Sequence, residues 1–250
     1  MGAIGVFDSG SGGLSLLKAM RKRVPNVDVV YFGDIKHAPY SQKPQEELLD
    51  LTVGGLKTLR MFGAQEIVST SCAVAPSALQ AGAEGAKVVE MSRPVGRGLH
   101  KYAGGRVLLM ATPAIVNARV FESAFGSMVI LDQLCIHELE GAIEFGSHDD
   151  AVREIVRKSF AERWGQSYDY VFLGCAHFPL VRNVIEEEAR AAFGGVQIID
   201  PAEIVADELI QQFSMGGVGA TYFKLSQDSE HFRRRVSELF PETHDDFRII

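Results

Sequence analysis

The feature that most constrains this chain is an alternation of short apolar strands and longer amphipathic stretches that runs through once and then restarts. Residues 4–7 predict a strand, 14–23 a helix with Leu16, Leu17 and Met20 on one face, and 27–32 a second strand. A long helix over 45–62, a strand over 66–70 that ends at Cys72, and a short strand over 88–90 complete the first round. The second round predicts strands at 107–111, 128–132, 170–173 and 196–199, and helices at 114–125, 151–164 and 180–193. A more mixed tail follows, helical over 202–213, strand-like over 221–225 and helical again over 229–239. Repeated strand–helix–strand units imply parallel sheets covered by helices on both faces, an α/β architecture. Ile4 and Val107, which open the two rounds, stand 103 residues apart, and so do Cys72 and Cys175. Ser9 and Thr112 keep the same spacing. Each half thus places a thiol just after an equivalent strand, where open α/β sheets form their ligand crevice.

Composition narrows the classes of partner. With 25 basic and 32 acidic residues the net charge is −7, which repels nucleic acid and anionic lipid. No apolar run approaches the ~18 residues that span a bilayer. The start Met1-Gly2-Ala3-Ile4-Gly5-Val6-Phe7-Asp8 lacks the basic region of a signal peptide. Cys72, Cys135 and Cys175 form neither a disulfide framework nor a zinc pattern, so a reducing cytoplasm is expected, with no metal.

The two outer cysteines sit in chemically suggestive surroundings. Cys72 lies in Ser71-Cys72-Ala73-Val74-Ala75-Pro76, small residues at an expected helix start, where backbone N–H groups stabilise a thiolate or bind a carboxylate. A small core residue is the other reading of Cys72. Cys175 lies in Gly174-Cys175-Ala176-His177-Phe178-Pro179, with His177 two residues on and able to tune the thiol. Moving a proton off a carbon beside a carboxylate and returning it on the opposite face needs two groups on opposite sides, one charged and one protonated. Thiols with a pKa of ~8.5 suit both roles and demand no cofactor.

Other candidates carry two readings each. Asp8-Ser9-Gly10-Ser11-Gly12-Gly13 lacks a P-loop lysine, and Ser15 breaks the dinucleotide fingerprint. It reads as a tight, mobile turn in which Asp8 orients an ammonium group or assists a thiol, or else as a helix cap. Pro39-Tyr40-Ser41 offers a phenol, a hydroxyl and amides to a carboxylate, or is a plain surface turn. Cys135 reads as structural, His148-Asp149-Asp150 as a loop or helix start, and Arg233-Arg234-Arg235 as an exposed helix face.

In these residues the chain resembles the bacterial glutamate racemases of the aspartate/glutamate racemase superfamily. The matching pieces are Gly5-Val6-Phe7-Asp8-Ser9-Gly10 with Gly12-Gly13-Leu14, Tyr31-Phe32-Gly33-Asp34 with Pro39-Tyr40, and Cys72. Gly174-Cys175-Ala176-His177-Phe178-Pro179-Leu180 and Tyr222-Phe223-Lys224-Leu225-Ser226 extend the match along the chain. The resemblance implies two pseudo-symmetric three-layer domains with the site between them, expected as 1–91 with 205–250 and as 92–204. It implies Cys72 and Cys175 as alternate base and acid, Asp8 and His177 as their assistants, and no pyridoxal phosphate. Ser9, Pro39, Tyr40, Ser41, Ala73, Val74 and Ala176 would meet the substrate, with Tyr40 and Ser41 near its distal carboxylate. It further implies D-glutamate production for peptidoglycan and leaves room for a homodimer.

The departures gather at the substrate. Ala73-Val74 stands where the family usually has Asn-Thr, Ala176 where it has Thr, and Ile115 where a threonine is expected. A family glutamate beyond the cysteine near position 135 aligns loosely, to Glu144. Each lost clamp weakens binding of a charged ligand by ~1–3 kcal/mol. The default expectation is therefore glutamate racemisation. The alternatives are a relative acting on aspartate or on an acid with another head group, and a non-catalytic small-carboxylate binding protein.

Overall fold

The computed structural model describes residues 2–41, 43–71, 85–241 and 246–250. Two parallel sheets organise them. The first contains β1 (Ile4–Asp8), β2 (Val29–Gly33), β3 (Glu66–Ser69), β4 (Lys87–Glu90), β9 (Thr221–Leu225) and β10 (Asp246–Ile249), in the order β10-β9-β2-β1-β3-β4. The second contains β5 (Arg106–Ala111), β6 (Ile130–Cys135), β7 (Tyr170–Leu173) and β8 (Gln197–Ile199), in the order β6-β5-β7-β8. Setting β9 and β10 aside, the two orders are the same, so the repeat read from spacing is a repeat of topology. Register departs from it by one step, since Gly5 pairs with Ile67 whereas Leu108 pairs with Val171.

The central strands β1, β5 and β7 are nearly continuous apolar runs because helices cover both faces of their sheets. Helices α1 (Gly13–Arg23), α2 (Gln45–Met61) and α3 (Ser92–Gly98) belong to the first round. Helices α4 (Pro113–Asn117), α5 (Val120–Phe125), α6 (Leu139–Glu144), α7 (Asp149–Ala161) and α8 (Arg182–Phe193) belong to the second. Helices α9 (Pro201–Gln212) and α10 (Glu230–Leu239) return the chain to the first sheet. Phe121, Phe125 and Phe172 meet edge-on beneath the second sheet. Among the described residues, no helix is long and apolar enough to cross a membrane.

Three local expectations are corrected. The helix expected over 114–125 is two helices, because Arg119 adopts φ 52°, a left-handed conformation that an α-helix cannot continue through. The strand expected over 128–132 starts later, at Ile130, because Gly126 at φ 52° and a Met128 N–H to Phe125 carbonyl bond first close a turn. Arg235 is not simply exposed: its guanidinium donates to the Ile143 carbonyl at 3.3 Å and ties α10 to α6. Asp149 and Asp150 begin α7 behind His148, in keeping with a helix start, and no metal-binding cluster occurs among the described residues.

Candidate active site

The C-terminal ends of β1, β3, β5 and β7 converge on one cavity. Asp8 and Ser9 leave β1, Thr70 and Ser71 leave β3, Thr112 leaves β5, and Cys175, Ala176 and His177 leave β7. Tyr40, Ser41, Ile115 and Glu140 close the walls. The free space that these described residues enclose is about 30 Å³. Ser9 and Thr112, matched by the 103-residue spacing, line the same cavity. Pro39 is not among the lining residues. Cys72, Ala73 and Val74 lie outside the described residues.

His177 is the hub of the second half. Its Nδ1 lies 3.8 Å from Cys175 Sγ and its Nε2 lies 2.9 Å from Glu144 Oε2. The same Glu144 oxygen accepts the Ser11 N–H at 2.8 Å and the Ser11 hydroxyl at 2.6 Å, so three donors from both halves meet on one atom. Burial by itself would disfavour charge on Glu144, but His177 and Ser11 outweigh it and hold its carboxyl below the usual range. Burial likewise opposes charge on His177. Its hydrogen bonds to Cys175 and Glu144 prevail, and its pKa stands well above the ordinary imidazole value. The Cys175 thiol is pushed up by burial and partly drawn back by His177. The Glu144 carboxylate thus favours a charged imidazole at His177, whose Nδ1 is placed to stabilise a thiolate at Cys175.

Asp8 serves the first half. Its Oδ1 accepts the Gly10 N–H at 2.8 Å and its Oδ2 accepts the Thr70 hydroxyl. Burial raises its pKa, against the pull of His177 and the Thr70 bond. Asp8 is not the cap of α1, whose N-cap is Gly12. The glycine loop is also not a loose turn. A Cβ at Gly10 would stand 2.4 Å from the Glu144 carboxylate, and one at Gly12 would stand 2.6 Å from His177 Nδ1. These glycines are required for close packing, with the loop pressed against the catalytic candidates.

Tyr40 lines the cavity, and its hydroxyl donates to Asp34 Oδ2 at 2.7 Å. The Tyr40 N–H donates to Glu140 Oε1 at 3.2 Å, and the Ser41 hydroxyl has no partner of normal geometry. Ser11, Thr70 and Glu140 were not singled out from the sequence. Ser11 and Thr70 read as ordinary polar residues at strand ends. Glu140 and Glu144 lie on the buried face of a six-residue helix together with Leu139 and Ile143, so apolar periodicity could not reveal either carboxylate.

The profile of the Asp/Glu/Hydantoin racemase family matches residues 11–209. The chain belongs to this family. Curated relatives include the glutamate racemase of Campylobacter curvus, 32% identical over 228 residues that cover 84% of this chain and 83% of that protein. The glutamate racemase of a Ruegeria species is 31% identical, covering 93% of this chain and 97% of its own. Solved structures share the fold. A glutamate racemase isoform from Bacillus anthracis gives a TM-score of 0.87 at 22% identity, covering 100% of this chain and 97% of that one. The Francisella tularensis glutamate racemase in complex with D-glutamate gives 0.84 at 22% identity, covering 99% and 97%. An aspartate racemase from Picrophilus torridus follows at 0.60 and 15% identity, covering 84% of this chain and 93% of that one. Membership in the family makes this chain an isomerase of the racemase type, with two parallel-sheet halves around its candidate site.

Proposed function

We propose that this protein interconverts L- and D-glutamate without a cofactor, by deprotonation and reprotonation at the α-carbon. The supporting observation is the charge-paired His177–Glu144 couple set against the Cys175 thiol in a cavity that also holds Asp8, within a racemase-family chain related to glutamate racemases. In one direction the Cys175 thiolate takes the α-proton, breaking the C–H bond and leaving its electron pair on carbon. The Cys72 thiol then donates its proton to the opposite face. The reverse direction exchanges these roles, and no net oxidation occurs. In both directions His177 stabilises the Cys175 thiolate by donating from Nδ1. Asp8 assists the thiol of the other half, toward which Thr70 and Ser71 carry the chain.

The same reading has residues 1–91 with 205–250 and residues 92–204 as the two domains. It has D-glutamate feeding peptidoglycan synthesis in the cytoplasm and two chains assembling as a homodimer, which light scattering tests. The decisive chemical experiment is incubation with L- or D-glutamate in heavy water with no cofactor added. Deuterium should enter the α-position from both enantiomers, and Cys72→Ser and Cys175→Ser should each suppress racemisation in both directions. Full turnover in both serine variants would exclude the two-thiol mechanism.

A further inference from the structure

Glu140 is a buried carboxylate in the cavity that neither the thiol chemistry nor the His177 couple uses. It stands one helical turn before Glu144 on α6, so one face of this helix delivers both acids toward the cavity. It is 4% exposed, and its recorded hydrogen bond is the 3.2 Å contact with the Tyr40 N–H. Ser41 lies close enough to favour its charged form, although the Ser41 hydroxyl makes no bond of normal geometry. Burial, opposed by His177 and Ser41, raises the Glu140 pKa, the mark of a carboxylate short of donors.

Carboxylates outnumber cationic groups around the cavity, where His177 is the basic side chain among the described lining residues. Among the described lining residues there is no lysine or arginine, and the Nε2 of His177 is committed to Glu144. The side chains that Ala114, Ile115 and Ala176 add to the lining are hydrocarbon and offer a charged group no partner. Asp8 already receives Gly10 and Thr70. The single cationic group of an amino acid is its ammonium, and a buried carboxylate short of donors is its natural counterpart. We infer that Glu140 binds the substrate ammonium, supplying head-group recognition that the alanine and isoleucine side chains do not. The inference rests on the amino-acid racemase reading above.

The test compares glutamate with glutarate, which keeps both carboxylates and lacks the ammonium. In Glu140→Gln, KM for glutamate in the deuterium-exchange assay should rise roughly 10–100-fold, with a smaller loss in kcat. The inhibition constant of glutarate should stay the same or tighten, because a repelling charge has gone. Glu140→Asp should recover part of the lost glutamate affinity. An unchanged KM in Glu140→Gln would overturn the inference. So would a parallel weakening of glutarate, which would make Glu140 a protonated donor to a carboxylate. If the Gln variant does not fold, the Asp variant decides on the same comparison: selective weakening of glutamate supports the inference, and parallel weakening overturns it. Absence of exchange on glutamate by the unaltered protein would instead sink the underlying reading.

Discussion

Replacing Glu144 by glutamine removes one negative charge while keeping an oxygen for its three donors. Both side chains of the His177–Glu144 couple are almost wholly enclosed, at 3% and 2% exposure. The two Ser11 bonds change from charge-assisted to neutral and the His177 Nε2 bond loses its anionic partner, at about 1 kcal/mol apiece. The loss is then about 3 kcal/mol, at the lower end of the range for breaking a buried ion pair. This cost depends on pH in a definite way. The folded pKa of His177 lies above its unfolded value of 6.5, so its contribution is complete below 6.5 and fades as pH rises through the folded value. The folded pKa of Glu144 lies below its unfolded value of 4.5, so its contribution is complete above 4.5 and fades as pH falls through the folded value. Both are fully present between those two values. Urea unfolding of the native protein and Glu144→Gln across a pH series should show the largest difference in that window and a shrinking one under alkaline conditions. Deuterium exchange should fall at least tenfold as Cys175 loses its anchored imidazolium, by roughly the 1.4 kcal/mol that separates decades in rate. A stability difference that stays flat with pH, or unimpaired exchange, would refute the assigned charge state.

Three further outcomes are expected. Gly12→Ala should lower exchange activity sharply, since its Cβ would displace His177, while Gly54→Ala, inside α2 with nothing within 4 Å, should leave activity unchanged and raise stability by about 0.5–1 kcal/mol. Tyr40→Phe should destabilise by about 1.5–3 kcal/mol in urea unfolding, because its hydroxyl bonds the buried Asp34 carboxylate. Thr70→Val should raise the Asp8 pKa further by removing a donor that favours its charge, and should move the acid limb of the pH–rate profile upward.

The sheets were legible because β-branched runs at strand length recur between amphipathic stretches, and most central elements fall within a residue or two of their expected bounds. The repeat spacing even paired Ser9 with Thr112 across the cavity. Elements that hide are those whose pattern is locally contradicted. Arg119 carries no signal that it will turn left-handed and split a helix. The strand β10 (Asp246–Ile249) is short, with Asp246, Arg248 and Ile249 exposed, so it lacks an apolar face to read. Within the site, Asp8, Cys175 and His177 stood out because each follows an apolar strand directly. Glu140 did not, and Glu144 was reached only through a loose family alignment, because buried carboxylates on a helix mimic a solvated face and only tertiary neighbours distinguish the two. The glycine loop was read for mobility when its spacing served proximity.

Ser11 belongs to the first sheet's opening loop, whereas Glu144 and His177 belong to the second half. Their meeting on one oxygen joins the two halves at the point that also anchors His177 beside Cys175. On the mechanism proposed above, any opening that parted Ser11 from Glu144 would cost that carboxylate two donors and weaken the couple facing Cys175. A Cys175 thiolate formed in that mechanism would then be best stabilised while the two halves stay joined.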